Sequence, residues 1–130
     1  MNIREMVSTH PRVQGSINEA LLRCIEECQS CALICTSCAD ACLSEEMVSE
    51  LTTCIRKNLD CADLCAATGA IALRRTGSND EVLRATIAAC AEACRACGEE
   101  CAKHAEMHDH CRICADACAR CEEACKTVVH

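Results

Sequence analysis

Along most of the chain, apolar and sulfur-bearing residues recur in alternating steps of four and three. The first run is Ile17, Leu21, Cys24, Cys28, Cys31, Cys35, Cys38 and Cys42. The second is Met47, Leu51, Cys54, Asn58, Cys61, Cys65, Thr68 and Ala72. A third follows as Leu83, Ile87, Cys90, Cys94, Cys97, Cys101, His104 and His108, and a fourth as Cys111, Cys114, Cys118, Cys121, Cys125 and Val128. Steps of four and three average about 3.5 residues, which holds every member of a run on one stripe of an α-helix. Charged residues such as Arg23, Glu26, Glu27 and Asp40 fill the flanks, as on a solvated face. The pattern predicts four helices, roughly over 16–43, 45–75, 79–108 and 110–128. Residues 1–14, with Pro11, form a short N-terminal segment.

The boundaries have their own signals. Ser44-Glu45-Glu46 suits an N-cap followed by first-turn acids. Gly77 suits a helix end, Ser78-Asn79-Asp80-Glu81 a capping box, and Asp109 a further cap. Short connections join antiparallel neighbours, so the fold class is all-α, an antiparallel up-down-up-down four-helix bundle in a single domain. Alternating directions bring Ile17, Leu21, Thr68, Ala72, Leu83, Ile87 and Val128 to one end, an apolar stopper without thiols. Cys38, Cys42, Met47, Cys101, His104, His108 and Cys111 gather at the other end. Between them the seam is sulfur where a bundle normally has Leu and Ile.

Composition sharpens that picture. The chain has 130 residues, 18 cysteines, and no Phe, Tyr or Trp. Secreted disulfide scaffolds are also rich in cysteine, but they are loop-rich, and one Pro with four Gly argues for long helices. The opening Met1-Asn2-Ile3-Arg4-Glu5-Met6-Val7 has no apolar leader pattern, so a reducing cytoplasmic location and metal binding are expected rather than cross-linking. No run is long and apolar enough to span a membrane. A net charge of −7 without a basic block excludes nucleic acid as a partner.

A core of cysteine alone packs less volume than leucine and leaves voids, so the thiols call for an occupant. Neighbours three and four apart on a helix lie about 5–6 Å apart at Cβ, so a metal with bonds of about 2.3 Å joins adjacent thiolates along a rail. Soft thiolates select Cu(I), Zn(II) or iron–sulfur clusters. Zinc sites show two Cys pairs separated by a long gap, and iron–sulfur clusters have compact motifs of their own. Continuous rails favour Cu(I) bridged between thiolates, on the order of 15–20 ions per chain at about one per sulfur. Candidate ligands are Cys24, Cys28, Cys31, Cys35, Cys38, Cys42, Cys54, Cys61, Cys65, Cys90, Cys94, Cys97, Cys101, Cys111, Cys114, Cys118, Cys121 and Cys125, with His104, His108 and Met47 where copper is admitted. Met107 and His110 flank that opening off the seam, and Asn58 either fixes the pairing of the helices or adds a ligand. Nothing resembles an open catalytic site with a base, so no enzyme activity is expected. A zinc buffer, a redox protein using pairs such as Cys94 and Cys97, and a purely structural bundle are the competing readings.

With these rails in view, the chain resembles the cytosolic branch of the bacterial copper storage proteins from about Ser16 to Val128. The resemblance rests on the Cys-x3-Cys-x2-Cys-x3-Cys rails at 24–42, 90–101 and 111–125 and on the sparser rail at 54–65. It implies storage of many Cu(I) ions on the lumen cysteines, homotetramers of bundles, and exchange with cytosolic copper donors or acceptors.

Overall fold

Asn18 opens the first long helix, its side-chain oxygen accepting from the Leu21 amide at 3.1 Å and so satisfying a donor that the first turn cannot. The computed structural model describes residues 2–128. Among them run α1 (Ile3–Ser8), α2 (Glu19–Leu43), a 3₁₀ turn (Val48–Glu50), α3 (Thr52–Leu73), α4 (Asp80–Ala102) and α5 (Asp109–Val128). Helix α2 lies beside α3 and α5, and α4 completes the ring by packing on the same two. This is the all-α four-helix bundle that the 3.5-residue stripes demand, because each stripe can be buried only against the other three.

The stopper forms from the expected residues. Leu21, Thr68, Ala72 and Ile87 are buried, while Ile17, Leu83 and Val128 are half-buried around them. Thr68 satisfies its hydroxyl by donating to the Leu64 carbonyl at 2.7 Å. Leu22 and Ile25 are buried too, although they lie off the seam. They border a cavity of about 170 Å³ beneath the N-terminal segment, together with Val7, Val13 and Leu73. That segment is held over the stopper by Arg4, which clasps Glu19 through two hydrogen bonds of 2.8 and 2.6 Å.

Three connections differ from the sequence expectation. Ser44 does not start a helix: it ends α2, its amide donating to the Ala41 carbonyl. The chain needs residues 44–51 to cross to α3, since neighbouring helix axes lie about 8–10 Å apart. The 3₁₀ turn there carries Leu51 into the core, where it is fully buried. Gly77 does not terminate α3 directly; Arg74 caps the helix after Leu73, and Gly77 sits in the following turn with φ 76°. Asn79 then precedes α4 without a side-chain capping bond, so no capping box forms. The third difference affects the mouth. The helix expected over 79–108 stops at Ala102, and 103–107 are turns. A connection between 108 and 110 is too short to carry the chain between two axes, so the last turn of the expected helix is given up to it. His104 and His108 therefore leave the thiol rail.

Helix α3 contains Gly69, and a Cβ added there meets Cys28 Cβ at 3.8 Å, an ordinary contact. Gly69→Ala is expected to raise stability by about 0.5–1 kcal/mol through helix propensity. Urea unfolding of the metal-free protein measures it. A Cβ added at Gly98 would come within 3.3 Å of Cys118 Cβ, tighter than at Gly69, so the bare glycine lets α4 and α5 nest.

Candidate metal centre

All 18 cysteines are buried and unpaired by disulfides. Because each run is a helical seam, its sulfurs face the bundle axis and form an unbroken chain of contacts. From the stopper it runs Cys125–Cys24 at 3.7 Å, Cys24–Cys28 at 4.0 Å and Cys28–Cys90 at 3.8 Å. It continues through Cys65, Cys94, Cys61, Cys31 and Cys35 at 3.6–3.9 Å. Cys97 at 4.0 Å, Cys101 at 3.9 Å and Cys54 at 3.5 Å complete it. Contacts such as Cys28–Cys90 and Cys65–Cys121, each 3.8 Å, cross between diagonally opposite helices. The lumen is thus narrow and filled with sulfur. A metal–thiolate bond of about 2.3 Å spans sulfurs up to ~4.6 Å apart, so every contact in this chain is one that a single ion can bridge.

Several four-ligand groups have all donor atoms within 4.8 Å of one another. Three are Cys28/Cys90/Cys121/Cys125, Cys31/Cys35/Cys61/Cys118 and Cys35/Cys97/Cys114/Cys118. Shared members, such as Cys35 and Cys118, make the groups continuous rather than separate. That sharing suits bridging thiolates better than isolated tetrahedral sites.

Asn58 stands where the α3 rail would have a further thiol. Its buried carbonyl oxygen accepts from Cys97 at 3.0 Å, Cys101 at 3.3 Å and Cys114 at 3.3 Å, and its amide donates to Cys54 at 3.8 Å. One amide is therefore satisfied by three helices. It pins their alignment and also offers an oxygen among the thiols.

The thiols share protons unevenly. Burial raises Cys42 and Cys111 above the ordinary thiol range. Hydrogen bonding from Cys125 lowers Cys24, and hydrogen bonding from Cys101 lowers Cys38. A thiolate in such a cluster is stabilised by the S–H groups that point at it.

At the mouth the structure rearranges the sequence-derived set. His104 Nε2 sits 3.0 Å from Glu100 Oε2, a carboxylate that is buried beside Lys57 and Lys103. His108 Nδ1 lies 3.1 Å from Glu45 Oε2. Met47 is 39% exposed at the start of the 3₁₀ turn, and Met107 is 62% exposed. The histidine brought onto the sulfurs is His110: its Nδ1 lies 3.5 Å from Cys38 Sγ and 3.6 Å from Cys111 Sγ. Cys38, Cys42, Cys111 and His110 form a four-ligand group. Burial opposes protonation of His110, but Cys38 and Glu45 outweigh it, and its pKa is raised. The signal for His110 was directional: a helical side chain leans toward the N-terminus of its helix, so a first-turn residue of α5 covers the open end.

A helical bundle with a continuous thiol lumen and an imidazole at its mouth is a container for soft metal ions. The chain belongs to the copper storage protein family, whose pattern it matches over residues 17–130. It is similar to the copper storage protein Ccsp of Streptomyces lividans loaded with 10 copper equivalents, with a TM-score of 0.93 and 53% identity over 98% of this chain and 97% of that one. The metal-free copper storage protein 3 of Bacillus subtilis superposes with a TM-score of 0.70 at 37% identity, covering 82% of this chain and 96% of its own. A cysteine-rich protein of Bacillus subtilis strain 168 is 40% identical over 105 residues, which is 81% of this chain and 92% of that protein.

Proposed function

We propose that this chain is a single-domain store for Cu(I), filled through the end that carries the histidines. The observation that carries the reading is the unbroken path of sulfurs 3.5–4.0 Å apart from Cys125 to Cys54. All 18 cysteines are assigned as ligands. His110 joins Cys38, Cys42 and Cys111 as the outermost site, and His104, His108 and Met47 meet incoming copper without belonging to the lumen. Occupation of such a lumen by soft ions needs no catalytic group, which supports a holding role rather than an enzymatic one. A similar protein of Streptomyces lividans is described as a cytosolic copper storage protein. Together with the absence, among the described residues, of any helix long and apolar enough to cross a membrane, this supports a cytosolic role here. The same role calls for cytosolic donors or acceptors of copper, and the homotetramer expected from the family resemblance belongs to this proposal.

Anaerobic loading of the metal-free chain tests both capacity and route in one trace. With His104 and His108 replaced by alanine, uptake is expected to slow several-fold while the final copper content stays near that of the parent. A collapse of content without a change in rate would overturn the assignment of the mouth.

A further inference from the structure

One carboxylate oxygen at the mouth serves two stacked imidazoles through opposite ring nitrogens. Glu45 Oε2 lies 2.8 Å from Nε2 of His110 and 3.1 Å from Nδ1 of His108. The two rings stack with centroids 5.3 Å apart and planes 17° from parallel. Glu45 is placed by the end of α2, where its amide donates to the Cys42 carbonyl, and its side chain is one-third exposed. A carboxylate only accepts hydrogen bonds, so each ring nitrogen facing it carries the hydrogen.

We propose that Glu45 is a positioning residue that fixes His110 as the Nε2–H tautomer and His108 as the Nδ1–H tautomer, leaving the Nδ1 lone pair of His110 aimed at the ion held by Cys38, Cys42 and Cys111. The geometry on the other side of His110 agrees. Its Nδ1 faces two sulfurs, Cys38 at 3.5 Å and Cys111 at 3.6 Å, and in the Nε2–H tautomer it accepts from either one as a thiol. When Cu(I) replaces those hydrogens, the lone pair already points at the metal. Without Glu45 the ring is free to put its hydrogen on Nδ1 or to turn, and either change removes the nitrogen donor. His108, held by its Nδ1, presents Nε2 as its free donor, so a single acid gives the two rings opposite polarity. Hydrogen-bonded carboxylates behind metal-binding imidazoles contribute typically about 10- to 100-fold to affinity.

The consequence for copper rests on the storage reading above, whereas the tautomers do not, and the experiment separates them. Long-range 1H–15N spectra of the metal-free full chain at mildly alkaline pH should show the Nε2–H form for His110 and the Nδ1–H form for His108. In Glu45→Leu, His108 should revert to the Nε2–H form common in free histidine. In Glu45→Gln, whose amide oxygen still accepts, both assignments should persist. Titration of the loaded chains against a Cu(I) chelator should show the ions of the mouth site bound about 10- to 100-fold more weakly in Glu45→Leu, less so in Glu45→Gln, at unchanged total content. Identical tautomers in the parent and Glu45→Leu, or equal affinities at the mouth, would overturn the role of Glu45. A parent chain that shows the expected tautomers but takes up no more than a few ions would leave the positioning intact and remove the storage reading.

Discussion

Replacing Cys31, Cys35, Cys61 and Cys118 with serine is expected to remove at least about four Cu(I) ions from the chain's capacity, and more if each sulfur bridges two ions. These four thiols form one mutually contacting group at the centre of the lumen, and Cys31 and Cys35 are links in the path from stopper to mouth. A serine hydroxyl is a hard, protonated oxygen that does not replace thiolate for a soft monovalent ion. The neighbours Cys94 and Cys97 lose bridging partners as well, Cys61 and Cys35 respectively. The fold should survive, because a buried hydroxyl in a helix can donate to the preceding turn as Thr68 does. Circular dichroism would establish that, and copper content after anaerobic loading gives the answer. A capacity equal to that of the parent would mean that these sulfurs do not hold metal.

The second large effect is on stability. A ligand that binds only the folded state adds about 2.7 kcal/mol per site when its free concentration is 100-fold above its dissociation constant. Four such sites already contribute about 11 kcal/mol, comparable with the whole stability of an ordinary domain. The loaded protein should therefore unfold tens of degrees above the metal-free one, at a few degrees per kcal/mol. Binding to the unfolded chain's thiols reduces the gain without abolishing it, since sulfurs spread along a coil cannot all bridge at once. Thermal unfolding of both forms under reducing, oxygen-free conditions measures the difference. Equal midpoints would place the metal outside the core.

The helices and the lumen are legible in the sequence because one periodicity encodes both. A stripe at 3.5-residue spacing must face the bundle axis, so the spacing of Cys24 through Cys42 by itself declares where their sulfurs point. The residues that escape that reading lie where the stripe does not rule. Leu22 and Ile25 are buried by the N-terminal segment, which no seam position reports. His104 and His108 continue the spacing in the sequence, but both fall in the connection between α4 and α5. His110 lies off the stripe and reaches the sulfurs only because a first-turn side chain leans over the open end. Glu45 and Glu100 carry no periodic signal: Glu45 lies in the turn after α2, and Glu100, in the last turn of α4, meets His104 from the turn that follows. Patterning specifies the container; the chemistry of its opening depends on chain reversal.

In this protein soft monovalent ions fill a sulfur-lined axis. Anaerobic Cu(I) titration of the metal-free chain against a competing chelator, with Zn(II) present, tests it most directly. The expected result is on the order of 15–20 Cu(I) per chain, close to one per thiolate, with zinc displaced. About four ions per chain with zinc retained, or thiols found paired as disulfides after anaerobic handling, would contradict it.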